Sequence, residues 1–162
     1  TLIAQAGWNI EGISFEKHEE SLTRVMKDAV PILKKNDMTL ILEPLNIITD
    51  HPGYHMSTGA HAFSFLEKIQ DDHIKILFDL YHQQITDGNL LDTVTKNLSM
   101  IGHFHVAAVP GRIEPTVGEL DYPYILKTIE QLGYEGYFGL EYMPKRDALE
   151  TLREVRTAFP KS

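Results

Sequence analysis

Four residues with metal-ligating side chains, Glu43, Asp79, His105 and Glu141, follow one another at intervals of 36, 26 and 36 residues. Each stands at the end of a short apolar run, as in Leu40-Ile41-Leu42-Glu43 and Ile76-Leu77-Phe78-Asp79. Such an interval is about the length of one β/α unit, so the four side chains are placed side by side at the carboxyl ends of neighbouring parallel strands. Barrels and open α/β sheets put their active sites there. One carboxylate at a strand end is ordinarily a solvated loop residue; four in the same phase are harder to explain that way. Three carboxylates and one imidazole form an oxygen-rich set that suits Mn²⁺, Mg²⁺ or Co²⁺ better than a structural zinc. The sequence has no cysteine, which excludes thiolate sites, disulfides and cysteine nucleophiles.

Other residues stand near enough in sequence to serve such a centre. His82, three residues past Asp79, would reach a substrate held there; its plainer reading is a surface-loop histidine. Arg112, in Pro110-Gly111-Arg112-Ile113-Glu114-Pro115, offers a guanidinium that can clamp a carboxylate or a hydroxyl-rich molecule, unless it pairs with Glu114 or Glu119. His103 shares a strand face with His105 and reads as a packing neighbour. Trp8 reads as a pocket wall or a core residue.

The elements that must position these groups alternate short apolar segments with longer amphipathic ones, the signature of an α/β fold. Strands are expected at Leu2 to Ala6, Thr39 to Leu42, Ile74 to Phe78, Ile101 to Val106 and Gly136 to Leu140. A helix is expected from Ser14 to Asn36, kinked at Pro31, with Leu22, Val25, Met26, Ala29 and Leu33 inward. Further helices start from Ser57 or Thr58, after Asn89, at Asp121 and at Asp147, with inward residues that include Leu132, Leu149 and Leu152. Residues 44–56 and 107–120 are rich in Pro, Gly, Asn and Asp and read as loops. No Gly-rich phosphate turn follows any strand, which disfavours a dinucleotide-binding sheet. The expected architecture is a (β/α)8 TIM barrel, here a partial barrel of about five β/α units forming a single domain over residues 1–162. Barrels of this kind run to ~250 residues, so about three units would precede Thr1.

At these same positions the sequence resembles the xylose-isomerase-like TIM barrels, and within them the hydroxypyruvate isomerase group. The resemblance rests on Leu42-Glu43-Pro44-Leu45-Asn46, Asp50-His51-Pro52-Gly53-Tyr54, Asp79-Leu80-Tyr81-His82-Gln83, Gly102-His103-Phe104-His105-Val106, Val109-Pro110-Gly111-Arg112 and Gly139-Leu140-Glu141-Tyr142. It implies that Glu43, Asp79, His105 and Glu141 are the metal ligands, that Glu43 and Glu141 are also the proton-transfer pair, and that His82 and Arg112 touch substrate. The family loop commonly has Asp where Ala108 stands, His at Ile113 and Gly-Thr at Thr116-Val117.

The function expected from this is a divalent-metal-dependent isomerase acting on a small sugar or keto acid. One carboxylate removes the proton beside a carbonyl, the metal steadies the enediolate, and the second carboxylate returns a proton. Two rivals stay open, an endonuclease IV-like phosphodiesterase and a non-catalytic partial barrel that binds a partner through its edges. The formal charge of −8 disfavours nucleic acid and anionic membranes as partners. No apolar run is long enough for a bilayer, and residues 1–20 have no signal-peptide pattern, so a cytoplasmic location is expected. Apolar strands at both sheet edges lead to the expectation of a homo-oligomer, or of association with a missing N-terminal half.

Overall fold

The computed structural model describes residues 1–159; Pro160, Lys161 and Ser162, the end of the expected domain, lie outside the described residues. Five strands, β1 (Leu2–Gln5), β2 (Leu40–Glu43), β3 (Ile74–Asp79), β4 (Ile101–Val106) and β5 (Phe138–Leu140), form one sheet. All neighbours pair in parallel, and their spatial order is their chain order. A doubly wound sheet would reverse direction at a switch point; uninterrupted sequential order is that of a barrel wall. The helices are α1 (Phe15–Lys35), α2 (Gly59–Ile69), α3 (Leu80–Thr86), α4 (Leu90–Asn97), α5 (Tyr122–Gln131) and α6 (Ala148–Ala158). Among the described residues no helix is long and apolar enough to cross a membrane.

Side chains alternate across each strand, so the sheet has two unlike faces. Leu42, Ile76, Phe78, Phe104 and Val106 join the main core cluster with Leu22, Met26, Phe65, Leu66, Val94 and Ile129 from the helices. The intervening Ile41, Glu43, Leu77, Asp79 and His105 point the other way, and all are buried. The register between β3 and β4 carries a bulge: Ile76 pairs with Ile101, but Leu77 pairs with His103, so Gly102 is skipped. A side chain there would have no room, because a Cβ on Gly102 would lie 2.9 Å from both Ile41 Cγ2 and Lys75 Cβ. Beyond the bulge Asp79 stands level with His105.

Helix ends follow local chemistry. Ser14, Thr58, Asp121 and Asp147 cap α1, α2, α5 and α6 by accepting backbone N–H groups of the first turn. Several inward residues expected from periodicity are corrected. Val25, Leu132, Leu149 and Leu152 are exposed, and α6 buries Val155, which the periodicity also places inward, together with Thr151. Trp8 is no core residue, being 55% exposed with its edge against the Tyr54 ring. The segment 44–56 is a loop but not a solvated one, since Leu45, Asn46, Tyr54, His55 and Met56 are buried. Tyr54 fastens it to the sheet by accepting from Ala6 N at 2.6 Å and donating to Glu43 O at 3.2 Å.

A buried charged knot joins α1, this loop and α2. Glu19 Oε1 accepts from His55 Nε2 at 3.0 Å and His61 Nε2 at 2.9 Å, while Oε2 accepts from Lys68 Nζ at 3.0 Å. Burial would raise the Glu19 carboxyl, but His61, Lys68 and His55 hold it below its ordinary value. Glu19→Ala should lower the unfolding free energy by about 2–4 kcal/mol, because it leaves buried donors without an acceptor. Lys68→Ala, at an exposed partner, should cost under about 1 kcal/mol. Denaturant titration of both variants checks this; equal small effects would show that the knot does not staple the helices.

Candidate metal and substrate site

The polar residues of the sheet's second face converge at the carboxyl ends of β2 to β5. Glu43 ends β2, Asp79 ends β3, and His105 is the penultimate residue of β4. Glu141 follows β5, held by a hydrogen bond from its N–H to Val106 O at 3.2 Å. His105 Nδ1 lies 3.5 Å from Glu43 Oε1 and 3.4 Å from Glu141 Oε2. Glu43, Asp79, His82 and Glu141 each bring one ligand atom within 4.8 Å of the others. Glu43, Asp79 and Glu141, three of the four residues expected from strand-end phase, come together with His82, while His105 lies outside that group and touches it through Glu43 and Glu141.

Asp79 uses its two oxygens differently. Oδ1 accepts the Tyr81 N–H at 2.8 Å and caps α3, leaving Oδ2 buried without a hydrogen bond. Glu43 Oε1, His82 Nε2 and His105 Nδ1 are likewise buried and unpartnered. Buried polar atoms are nearly always satisfied, so several orphans facing one another mark a place built for something else. The charges say the same. Burial first, and then Glu43, pushes Asp79 up to about 7. Burial alone would lower His105, but the Glu141 and Glu43 carboxylates beside it lift it to about 9. Glu141 is held down at about 2 by His105 and Arg112. Crowded carboxylates with orphaned oxygens, an imidazole and no sulfur fit a hard divalent cation.

His82 corrects the plainer reading of a surface-loop residue. It sits on α3, a seven-residue helix not foreseen from the sequence, and is completely buried. Burial, reinforced by Arg112, lowers it to about 3, so the ring is neutral. Its Nδ1 faces Asn46 Nδ2 at 2.7 Å, and its Nε2 lies 3.7 Å from Asp79 Oδ2. Arg112 does not pair with Glu114 or Glu119; its Nη2 donates to Glu141 Oε2, and Glu114 is 3.4 Å from Arg146 instead.

The Arg112 loop is folded back on itself. Ala108 N donates to Ile113 O at 2.9 Å across an isolated bridge, Arg112 N donates to Ala108 O at 3.0 Å, and Met143 N donates to Arg112 O at 2.8 Å, tying the loop to the segment after β5. An apolar pair thus stands where the family pattern has Asp and His. Gly118 closes the loop at φ +92°, where a Cβ would meet Val109 O at 2.6 Å. The guanidinium also lies over the Tyr81 ring, 5.4 Å from its centre. Tyr81 donates to Asp50 Oδ2 at 2.8 Å, and Asp50 accepts from Asn46 Nδ2 at 2.6 Å. Asn46, Asp50 and Tyr81 were not picked out as site residues, although Asn46 followed by Thr49 and Asp50 is the spacing of a side-chain-capped turn.

His103 stacks edge-on against His105, 5.1 Å between centres. Both rings lean over Gly139, whose absent side chain leaves their space: a Cβ there would lie 2.7 Å from His105 Cδ2 and 2.8 Å from His103 Nε2.

Residues 1–158 match the family described as xylose isomerase-like TIM barrel. The chain is 37% identical over 133 residues to a Homo sapiens protein described as a putative hydroxypyruvate isomerase, covering 82% of this chain and 48% of that one. It is 35% identical over 142 residues to the hydroxypyruvate isomerase of Escherichia coli strain K12, covering 88% and 55%. A crystal structure described as AP endonuclease, family 2 from Brucella melitensis superposes with a TM-score of 0.86 at 32% identity, over 91% of this chain and 57% of that one. The chain spans about half the length of the curated relatives it matches.

Proposed function

The chain belongs to the xylose isomerase-like TIM barrel family, and from that premise we propose that it carries the catalytic centre of a divalent-cation-dependent isomerase. The reaction moves a proton between the two carbons of a small α-hydroxycarbonyl compound, hydroxypyruvate being the substrate to test first. The observation that carries this reading is the pair Glu43 and Glu141, brought from β2 and from beyond β5 to within 3.5 Å of one imidazole. Glu43, Asp79, His105 and Glu141 would hold a cation such as Mn²⁺, Mg²⁺ or Co²⁺, which would supply Lewis-acid polarisation of the carbonyl.

The remaining work falls to this chain's own side chains. One glutamate takes the proton from the hydroxyl-bearing carbon, leaving a planar enediolate. The other glutamate takes the hydroxyl proton and delivers it to the former carbonyl carbon, while the first passes its proton to the former carbonyl oxygen, so that both carboxylates end ionised and bonds and charge balance. His82 and Arg112 bind the substrate's oxygens, and the guanidinium offsets negative charge as it develops. The net charge of −8 supports a small substrate over a polyanion, without nucleic acid or anionic membrane partners. The exposed Leu2, Ile3 and Leu140 at the outer strands support cover from another copy of the chain or from the rest of a barrel.

The test is hydroxypyruvate in D₂O with the chain and Mn²⁺ or Mg²⁺, followed by NMR. Metal-dependent deuterium incorporation and appearance of the aldehyde isomer are expected; neither occurring would overturn the reading. Gly139→Ala probes the geometry separately. Displacing His105 in this way should weaken Mn²⁺ binding by about 10–100-fold in a calorimetric titration. Unchanged affinity would show that His105 does not hold the ion.

A further inference from the structure

His82 stands among groups that can ligate a cation, yet its own nitrogens have unlike surroundings, and the difference originates at Asn46. The Asn46 side chain is fully buried. Its Oδ1 accepts from Thr49 N at 2.9 Å, Thr49 Oγ1 at 2.9 Å and Asp50 N at 3.3 Å. Two of those donors are backbone N–H groups, which cannot reverse. Turning the amide over would set its NH₂ against them and its carbonyl oxygen against the Asp50 carboxylate, so the chemistry permits one orientation only. Nδ2 therefore faces Asp50 Oδ2 at 2.6 Å and His82 Nδ1 at 2.7 Å.

His82 Nδ1 meets a second donor as well, the Asn46 backbone N–H at 3.3 Å. A ring nitrogen that receives two N–H groups must present its lone pair. In a neutral imidazole the proton is then on the other nitrogen. Nε2 is the unpartnered atom that faces the site beside Asp79.

Resting on the isomerase reading, we infer that Asn46 is a positioning residue that locks His82 in its Nε2–H tautomer. His82 is thereby a hydrogen-bond donor to a substrate oxygen and not a ligand of the cation. A ligand needs a lone pair on the atom that faces the ion, and Asn46 has turned that lone pair away. The five converging side chains divide into four that hold the cation and one that donates to the oxygen bearing charge in the enediolate. A neutral donor suits this task, since it steadies the oxyanion without giving up its proton to it.

Long-range ¹H–¹⁵N correlation spectra of the ¹⁵N-histidine-labelled chain test this directly, with His82 assigned by its loss in His82→Gln. Wild-type spectra should show an unprotonated Nδ1 and a protonated Nε2. Both should persist on addition of Zn²⁺, a diamagnetic probe that favours nitrogen ligands. Asn46→Asp replaces the donor with an acceptor and should shift His82 toward the Nδ1–H form. With hydroxypyruvate at saturating Mn²⁺, kcat in that variant should fall by about 10²–10³-fold, as for loss of an oxyanion donor. Its Mn²⁺ affinity should stay within about threefold, since no ligand has been removed.

A wild-type Nδ1–H form, loss of the Nε2 proton on Zn²⁺ addition, or an unshifted tautomer in Asn46→Asp each overturns the proposal. The wild-type spectra decide the tautomer even where the variant does not fold. Absence of turnover in the wild type would count against the isomerase reading alone, because the spectra do not depend on it.

Discussion

Replacing Glu43 with Gln is expected to slow deuterium exchange at the substrate carbon by about 10²–10⁴-fold, the span that positioned acid–base groups usually supply. Glu141→Gln should do the same. The exchange keeps side-chain shape and buried volume and removes the ability to take a proton together with the carboxylate's charge toward the cation. Glu43 is 3% exposed with one oxygen free of any hydrogen bond, so that oxygen faces the site as an acceptor. Glu141 is held by Arg112 and stands beside His105. Its loss should also release the guanidinium and raise the substrate KM more than Glu43→Gln does. Both variants are to be assayed at saturating Mn²⁺, with circular dichroism to show an intact fold. Exchange at the wild-type rate in both would remove the glutamates from the chemistry.

Asp79→Asn should act in opposite directions on binding and on stability. Changing an outer partner of a metal site costs about 10–100-fold in affinity, and removing a ligand's charge should cost more than that. The metal-free chain, by contrast, should melt at an unchanged or higher temperature. Asn caps a helix as well as Asp does, so the Tyr81 N–H keeps its acceptor, while the repulsion from Glu43 disappears. The sign of the pH effect follows. Asp79 titrates higher in the fold, at about 7, than in an unfolded chain, where it is near 3.8. Its protonated form favours the fold, and that contribution is lost as pH rises through about 7. The metal-free wild type should therefore lose stability between about pH 4 and 7 relative to Asp79→Asn, and a bound cation should reverse the difference. A variant melting lower at every pH would show that the carboxylate stabilises the empty site.

Strand order and the four strand-end residues were legible because both depend on phase. Apolar runs separated by amphipathic stretches fix where each strand ends, and the residue standing there needs no tertiary information. Helix faces were less legible where apolar residues repeat every third position. A helix turns 100° per residue, so Leu149, Leu152 and Val155 drift by about 120° around α6, whereas Thr151 and Val155 stay within about 40°. Only the second pair keeps one face inward. The short α3 escaped notice because Asp79 reads equally as a strand terminator and as a cap, and seven residues give too little periodicity to decide. Asn46 was illegible for another reason: its partner His82 is 36 residues away, and only folding brings the two together.

The skipped Gly102 bears on how this site tolerates change over evolutionary time. Were Gly102 paired instead of skipped, the ladder from Ile76 and Ile101 would run on to set Asp79 against Phe104 instead of His105. Every side chain beyond that point would exchange faces: the imidazole would go into the apolar layer and a phenyl ring into the polar one. Loss of Gly102 itself would therefore leave Ile101 against Ile76 and His105 against Asp79 in a regular ladder, whereas a side chain at this position has no room beside Ile41 and Lys75. Among homologous sequences, this position should hold glycine or a gap, and replacement by a larger residue should be rare.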